Sequence, residues 1–284
     1  MVIRECILKA TEILRASGAD TAALDARVLI AAVLDKNDVY IITNPDVNLN
    51  QNDEERFFEY VKRRAEGEPV AYIVGEKEFM SLMFYVDDSV LIPRPDTEHL
   101  AELAIELIEE NKYKKAADFC TGSGALAVSV AKAHPNVFVD GYDISSDALG
   151  VANRNKTRNS TPNVNFYRLD VLGELDQIGQ KYDIVVSNPP YISREDMSSL
   201  DNTVSGYEPH LALFGGEDGL DFYRKISADA DNFLEDGGVL AFEVGHSQAE
   251  DVKKIMESNF DNIQIKKDYA GIARVVWGTK KQQI

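Results

Sequence analysis

The stretch DFCTGSGALAV, residues 118–128, passes from a short apolar segment through a glycine-containing turn into an alanine- and valine-rich segment. Its reading decides the fold. A strand that enters a helix through such a turn belongs to an alternating α/β chain. Gly122 and Gly124 allow close approach to the backbone, and the first turn of the helix offers free N–H groups. A bare G-x-G is weak evidence, because many tight strand-to-helix turns are purely structural. The surrounding pattern supplies the rest. AADFC, VFVDGYD, NFYRLD, YDIVVSN and GVLAFEV are short apolar runs suited to buried parallel strands. Between them, HLAELAIELIEE, ALAVSVAKAH, SDALGVANRN, LDFYRKISADADNFL and QAEDVKKIMES read as helices. The tail IQIKKDYAGIARVVWG reads as two further strands turning at Gly271. The expected fold is α/β, a doubly wound sheet whose ligands bind beyond the carboxyl ends of its strands.

Residues 3–66 carry a helical period instead. Ile3, Cys6, Ile7, Ala10, Ile13 and Leu14 share the three-four spacing of one face. Gly18 stops that helix, and Asp20 or Thr21 can cap the next, with Leu24, Val28, Leu29 and Val33 as its apolar positions. NDEERFFEYVKRRAEG begins acidic and ends basic, as the helix dipole favours. The expectation is a small bundle of three helices over residues 1–78. FMSLMFYVDDSVLIP, residues 79–93, is rich in aromatic and β-branched residues and predicts a linking hairpin. The α/β domain then fills residues 94–284.

The 284 residues hold 30 Lys plus Arg against 48 Asp plus Glu, a net charge of -18. Such a balance disfavours nucleic acid as the main partner, since phosphate binding draws on clustered cationic side chains. Cys6 and Cys120 cannot form a disulfide framework, which fits a reducing compartment and a cytoplasmic location. No signal peptide and no membrane-spanning apolar run are legible. His99, His134, His210 and His246 lie scattered without ligand spacing, so no metal is expected.

Three strand ends carry acidic or amide groups. Asp143 closes VDGYD about twenty residues beyond the glycine turn, where a carboxylate can bind the two hydroxyls of a ribose. It can equally cap the following helix, in competition with Ser145 or Ser146. Asp170 ends the third strand, where it can accept from an adenine amino group or cap a helix. A third close glycine and a Lys-Ser/Thr pair are both missing from the loop, so a nucleoside without a clamped pyrophosphate fits better than a dinucleotide. S-adenosylmethionine is such a ligand. The fourth strand leaves through SNPPYIS, residues 187–193, a stiff exit with two prolines and unpaired carbonyls. This is either a rigid turn or a cradle for a group bearing an NH2. In the second case the Asn188 side-chain oxygen and the Pro189 carbonyl accept the two N–H bonds, and Tyr191 supplies an aromatic face.

In these motifs the chain resembles the HemK/PrmC class of S-adenosylmethionine-dependent methyltransferases, which modify the glutamine amide of the GGQ tripeptide in bacterial peptide chain release factors. The matching stretches are GEPVAYIVGEKEF, LIPRPDTEHL, DFCTGSGALA, GYDISSDAL, SNPPYIS and EPHLALFGGEDGLDFYRKI. The resemblance implies a Rossmann-like seven-stranded methyltransferase domain behind a helical domain that docks the release factor. It implies that Cys120, Thr121, Gly122, Ser123 and Gly124 line the methionine part of the cofactor. Asp143 then binds ribose, Asp170 and Val171 flank adenine, and Asn188, Pro189, Pro190 and Tyr191 hold the substrate glutamine. Val171 departs from family members that carry an aromatic residue there. Arg94 and Thr97 are placed near the mouth of the site, although RPDTE also reads as a helix start with Thr97 as its cap. The implied product is S-adenosylhomocysteine, and a monomer is expected. Three alternatives stay open at this point: methylation of a ribosomal-protein glutamine, adenine-N6 methylation of DNA, and a binding module without catalysis.

Overall fold

The computed structural model describes residues 1–199 and 206–282. Residues 200–205, within the stretch between Ser193 and Gly206, lie outside the described residues. Residues 1–76 with 206–207 form one compact unit, and residues 77–199 with 208–282 form the other. The division falls two residues before the boundary expected from composition.

The first unit is helical: α1 (Ile3–Ala16), α2 (Ala22–Leu34), α3 (Asp38–Thr43), α4 (Gln51–Ala65) and α5 (Val70–Val74). Two short helices, α3 and α5, join the three that the periodicity shows. Gly18 ends the first turn region with φ +88°, a conformation that L side chains rarely adopt. On α2 the buried face is Ala22, Ala26, Leu29, Ile30 and Val33, while Leu24 and Val28 are exposed. Leu29 and Val33 are buried as expected, and the other half of the expected face is corrected. A helix this apolar has two plausible stripes, and the one with alanines wins because small side chains let α1 and α4 approach. Ile13 is likewise exposed, off the Ile3, Cys6, Ala10 and Leu14 stripe. Thr21 does not cap α2 with its side chain. Its hydroxyl donates to Asp25 (2.7 Å), whose other oxygen accepts from Arg64 of α4 at 2.7 Å. Asn50 caps α4 by accepting from the Asp53 N–H.

A hairpin follows, β1 (Glu76–Phe79) and β2 (Leu82–Tyr85). Met80 and Ser81 both have positive φ, 51° and 59°, the pattern of a two-residue type I′ turn. The hairpin is thus earlier and shorter than the expected 79–93. Val86, Val90 and Ile92 are buried without joining a strand, so their apolar character reports burial and not pairing.

The second unit continues with α6 (Glu98–Asn111), β3 (Lys115–Phe119), α7 (Ala125–Ala133), β4 (Phe138–Asp143), α8 (Ser146–Arg158), β5 (Val164–Arg168) and β6 (Tyr182–Ser187). After α9 (Arg194–Met197) come α10 (Asp221–Ala228), α11 (Ala230–Phe233), β7 (Leu234–Glu243), α12 (Ala249–Met256), β8 (Phe260–Lys267) and β9 (Ala273–Lys280). The expected single helix over LDFYRKISADADNFL is broken at Asp229. The seven strands run in the order β5-β4-β3-β6-β7-β9-β8. The first five are parallel, and β9 lies antiparallel to both β7 and β8. Alternate residues feed two cores: Ala116, Val139, Ile184 and Val186 on one face, Ala117, Val185, Leu240 and Phe242 on the other. Chain order reverses between β3 and β6, and in such sheets ligands bind in the crevice at that point.

Asn155 of α8 fastens the hairpin to this sheet. It is fully buried, accepts from the Tyr85 N–H (2.7 Å) and donates to the carbonyls of Tyr85 (3.0 Å) and Ser123 (2.9 Å). Asn155→Leu leaves those backbone groups unpaired, each at about 1–3 kcal/mol. We expect urea denaturation to show a loss of about 2 kcal/mol or more; a midpoint unchanged from the parent would show that the contact is dispensable.

Candidate active site

Register builds the site. Phe119 of β3 pairs with Tyr142 of β4 and with Ser187 of β6, and Ser187 pairs with Phe242 of β7. One residue past this row stand Cys120, Asp143, Asn188 and Glu243. Four functional groups are therefore level with one another because four parallel strands end together.

The turn after β3 is held from both sides. The Thr121 hydroxyl donates to Asp118 (2.6 Å), and the Thr121 N–H donates to the Tyr142 carbonyl (2.9 Å). The Gly122 N–H donates to Asp143 (2.8 Å). Gly124 has φ +77°, and a Cβ there would stand 2.8 Å from the Phe166 ring and 3.0 Å from Ala152. No other residue fits. Cys120 adopts φ 60° without being glycine, and burial pushes its thiol well above the usual range. Asp143 also accepts from the Ser145 N–H (2.9 Å), while the capping of α8 is done by Ser145, whose hydroxyl accepts from Ala148. Asp143 is thus not the helix cap. Burial raises its carboxyl, and the N–H groups of Ser145, Gly122 and Ile144 pull the other way.

A cavity of about 230 Å³ opens over these strand ends. Cys120, Gly122, Asp143, Asp170, Val171 and Asn188 line it, as does Pro190. Thr121, Ser123 and Gly124 do not line it; their side chains and backbone shape the turn instead. Pro189 and Tyr191 are also absent from the lining. Asp170 closes a small turn, accepting from the Leu172 N–H (2.9 Å). Two parts of the wall were missed by sequence reasoning. Ser89, Val90 and Leu91 follow the hairpin, and Leu211, Ala212 and Phe222 lie between α9 and the first turn of α10. Their signal was present in the apolar runs SVLIP and PHLALF, which carry no chemistry of their own.

The NPPY exit is gripped by the segment after it. The Ile192 N–H donates to Leu213 (2.9 Å), the Gly215 N–H to Ile192 (2.9 Å), and Gln248 Nε2 to the Tyr191 carbonyl (2.9 Å). A Cβ on Gly215 would lie 2.6 Å from the Pro190 oxygen, so glycine is required for this approach. Asn188 Nδ2 donates to Thr97 Oγ1 (3.1 Å). RPDTE is a helix start with Thr97 at the N-cap position of α6, as the sequence allows, but the Thr97 side chain makes no cap bond and is left for Asn188. Arg94 pairs with Glu208, a side chain almost wholly buried. Among the described residues, no cluster of three potential metal ligands occurs, and no helix is long and apolar enough to cross a membrane.

Among the described lining residues there is no lysine or arginine, while Asp143 and Asp170 are present. That donor set suits a cationic nucleoside such as S-adenosylmethionine and disfavours a pyrophosphate.

Comparison with known proteins agrees with this architecture. Residues 5–75 match the PrmC N-terminal domain, and residues 97–204 match the methyltransferase small domain. A release factor glutamine methyltransferase of Clostridium acetobutylicum is 41% identical over 97% of this chain and 98% of its own length. One from Vibrio cholerae is 40% identical over 100% of this chain and 98% of its own. Among solved structures, the hMettl16 catalytic domain aligns with TM-score 0.56 at 11% identity, covering 84% of this chain and 85% of that one. A methyltransferase from Pyrococcus furiosus gives 0.51 at 16%, covering 82% and 100%. The two structures speak to fold alone.

Asp118 supplies a test of the buried electrostatics. Its Oδ1 has no hydrogen-bond partner among the described residues, and burial pushes its carboxyl up to about 7, against the opposing Thr121 and Ala127 donors. A carboxyl raised in the fold binds its proton more tightly there than in the unfolded chain. It therefore stabilises at low pH, and that contribution is lost as pH rises from about 4 to about 7. Asp118→Asn should show a shallower fall in unfolding free energy between pH 5 and pH 8 than the parent. Parallel profiles would place the ionised form at no disadvantage.

Proposed function

The chain belongs to the release factor glutamine methyltransferase family, and we propose that its strand-end cavity binds S-adenosylmethionine while Asn188 and Pro189 hold the glutamine side-chain amide of a release factor. The observation that carries this reading is the placement of the Asn188 carboxamide on the wall of an acidic, lysine- and arginine-free cavity, one residue past the same strand row as Asp143. The protein is an S-adenosylmethionine-dependent protein glutamine methyltransferase. The GGQ loop is the acceptor, and the amide nitrogen N5 the methylated atom.

When bound, the cofactor supplies an electrophilic methyl group on a positively charged sulfur. The chain does the rest. Asp143 meets the ribose diol, its carboxylate retaining acceptor capacity beyond the Gly122 and Ser145 bonds. Asp170 and the aliphatic wall of Val171 and Leu172 flank the base, so adenine packs on aliphatic surface. Cys120 and Gly122 border the sulfur end. An amide nitrogen is a poor nucleophile because its lone pair is delocalised into the carbonyl. Two neutral acceptors, Asn188 Oδ1 and the Pro189 carbonyl, fix both of its hydrogens and aim the nitrogen. Positioning of this kind contributes roughly 7–11 kcal/mol when reacting atoms stand about 3–3.5 Å apart. Pro190 makes the exit rigid, and Tyr191, whose phenol burial raises to about 12, stays neutral and apolar beside the acceptor group. No strong base is required beforehand, since the methylated nitrogen becomes acidic and sheds its proton afterwards.

The helical unit, residues 1–78 in the expected division, is the release-factor docking element in this reading. The enzyme acts as a cytoplasmic monomer. Adenine methylation in DNA is disfavoured by the net charge of -18, since a flipped-base enzyme needs a basic cleft.

Radiolabelled methyl transfer to purified release factor, followed by mapping of the modified residue, tests the assignment; label on any residue but the GGQ glutamine, or none at all, overturns it. Asn188→Ala should lower kcat by about 100-fold with S-adenosylhomocysteine affinity nearly unchanged. Parental turnover in that variant would remove the acceptor cradle from the mechanism. Asp143→Ala should weaken cofactor binding by about tenfold or more in calorimetry, the loss expected for charge-assisted hydrogen bonds. Equal affinity would leave Asp143 as a loop fastener alone.

A further inference from the structure

The strand row that places Asn188 has a fourth member with no role in the reaction described so far. Glu243 is the last residue of β7, directly across from Asn188 in the continuation of the Ser187–Phe242 pair. It is 4% exposed, and its Oε2 has no hydrogen-bond partner among the described residues. A charged side chain at the end of the buried run GVLAFEV is costly unless something uses it.

We propose that Glu243 is a positioning residue: acting through the Thr97 hydroxyl, it fixes which end of the Asn188 carboxamide faces the cavity. This inference rests on the glutamine-methyltransferase reading above.

The argument is one of donors and acceptors. An ionised carboxylate accepts only, whereas a threonine hydroxyl donates once and also accepts. Thr97 is 6% exposed and accepts from Asn188 Nδ2 at 3.1 Å. Its own proton is then free for Glu243, and the Thr97 hydroxyl and the Asn188 amide are the hydrogen-bonding groups that act on that carboxyl. The chain of donation runs Asn188 N–H to Thr97 O–H to Glu243. Its direction commits the NH2 of Asn188 inward and leaves Oδ1 toward the cavity, as an acceptor for the substrate amide. A protonated Glu243 can donate to Thr97 instead. Thr97 can then donate to Oδ1 of Asn188, which turns the carboxamide and presents NH2 to an amide that also offers N–H. Two donors face each other, and the cradle fails.

The protonation state is set locally. Burial raises the Glu243 carboxyl to about 7, Asp96 adds to the rise, and Thr97, Arg274 and Asn188 oppose it. Tyr191 and Tyr223 also face it, both neutral near pH 7 because burial raises their phenols. Arg274 is itself shared with Asp96 (3.0 Å) and Asp268 (2.8 Å), which limits its hold on Glu243.

Two readouts test this. In 15N-labelled protein without substrate, the Asn188 side-chain NH2 resonances should shift with a midpoint near pH 7, and Glu243→Gln should abolish that titration. In turnover with release factor, kcat should fall on the acid side through the same midpoint while KM changes little. Glu243→Gln should lower kcat by about tenfold and remove that limb, with S-adenosylhomocysteine affinity unchanged. Thr97→Ser should retain both behaviours and Thr97→Val should lose them, which separates a relay from bulk packing. An Asn188 signal that ignores pH, or a Glu243→Gln enzyme with parental kcat and the parental acid limb, overturns the proposal. Titration of Asn188 in a protein that methylates no glutamine would instead leave the relay standing and overturn the functional reading.

Discussion

Parallel pairing that brings four strands to an end in a single row is the constraint on which the site depends. Phe119, Tyr142, Ser187 and Phe242 are in register, so the next residues emerge at one level around the point where chain order reverses. A shift of register by one residue on any of these strands would turn Asp143 or Asn188 to the opposite face of the sheet. The two-faced core prevents such a slip, because alternate residues of each strand are committed to different clusters. Packing in the interior thus fixes chemistry at the edge.

Around that row the backbone is tied down by side-chain hydrogen bonds. Asp118 holds Thr121, Asp143 holds Gly122, and Gln248 holds the Tyr191 carbonyl. Gly124 and Gly215 admit close backbone approach where any side chain would collide. The carboxylates Asp118, Asp143 and Glu243 are all raised, in each case with burial as the largest cause. An acidic, poorly solvated cavity is a favourable place for a positively charged sulfur compound and a poor one for phosphates. The overall charge of -18 points in the same direction.

Much of this was legible in the sequence. The alternation of apolar strands and helices gave every strand of the sheet from β3 to β9 within a few residues, since long periodic patterns reflect burial directly. Glycine turn, acidic strand end and NPPY exit marked the cavity because those residue types are poor choices for ordinary core or surface. Legibility failed where two readings had the same pattern. On α2, Leu24 and Val28 compete with an alanine-lined stripe, and only packing against α1 and α4 chooses between them. In 86–93 the apolar residues are buried without pairing. Thr121, Ser123 and Gly124 belong to the motif, yet their work is to shape the loop rather than line the cavity. Glu243 was missed because a lone carboxyl after an apolar run looks like a strand end meeting solvent, and its burial appears only when β7 is placed between β6 and β9.

The central claim is geometric: two neutral oxygens, on Asn188 and Pro189, take the hydrogens of a carboxamide and orient its nitrogen. A crystal structure of the enzyme with S-adenosylhomocysteine and release factor measures this most directly. The account predicts the glutamine nitrogen within about 2.7–3.2 Å of both oxygens, on the side facing the cofactor sulfur. A glutamine nitrogen turned away, with those oxygens bonded to water or to their own chain, would contradict it.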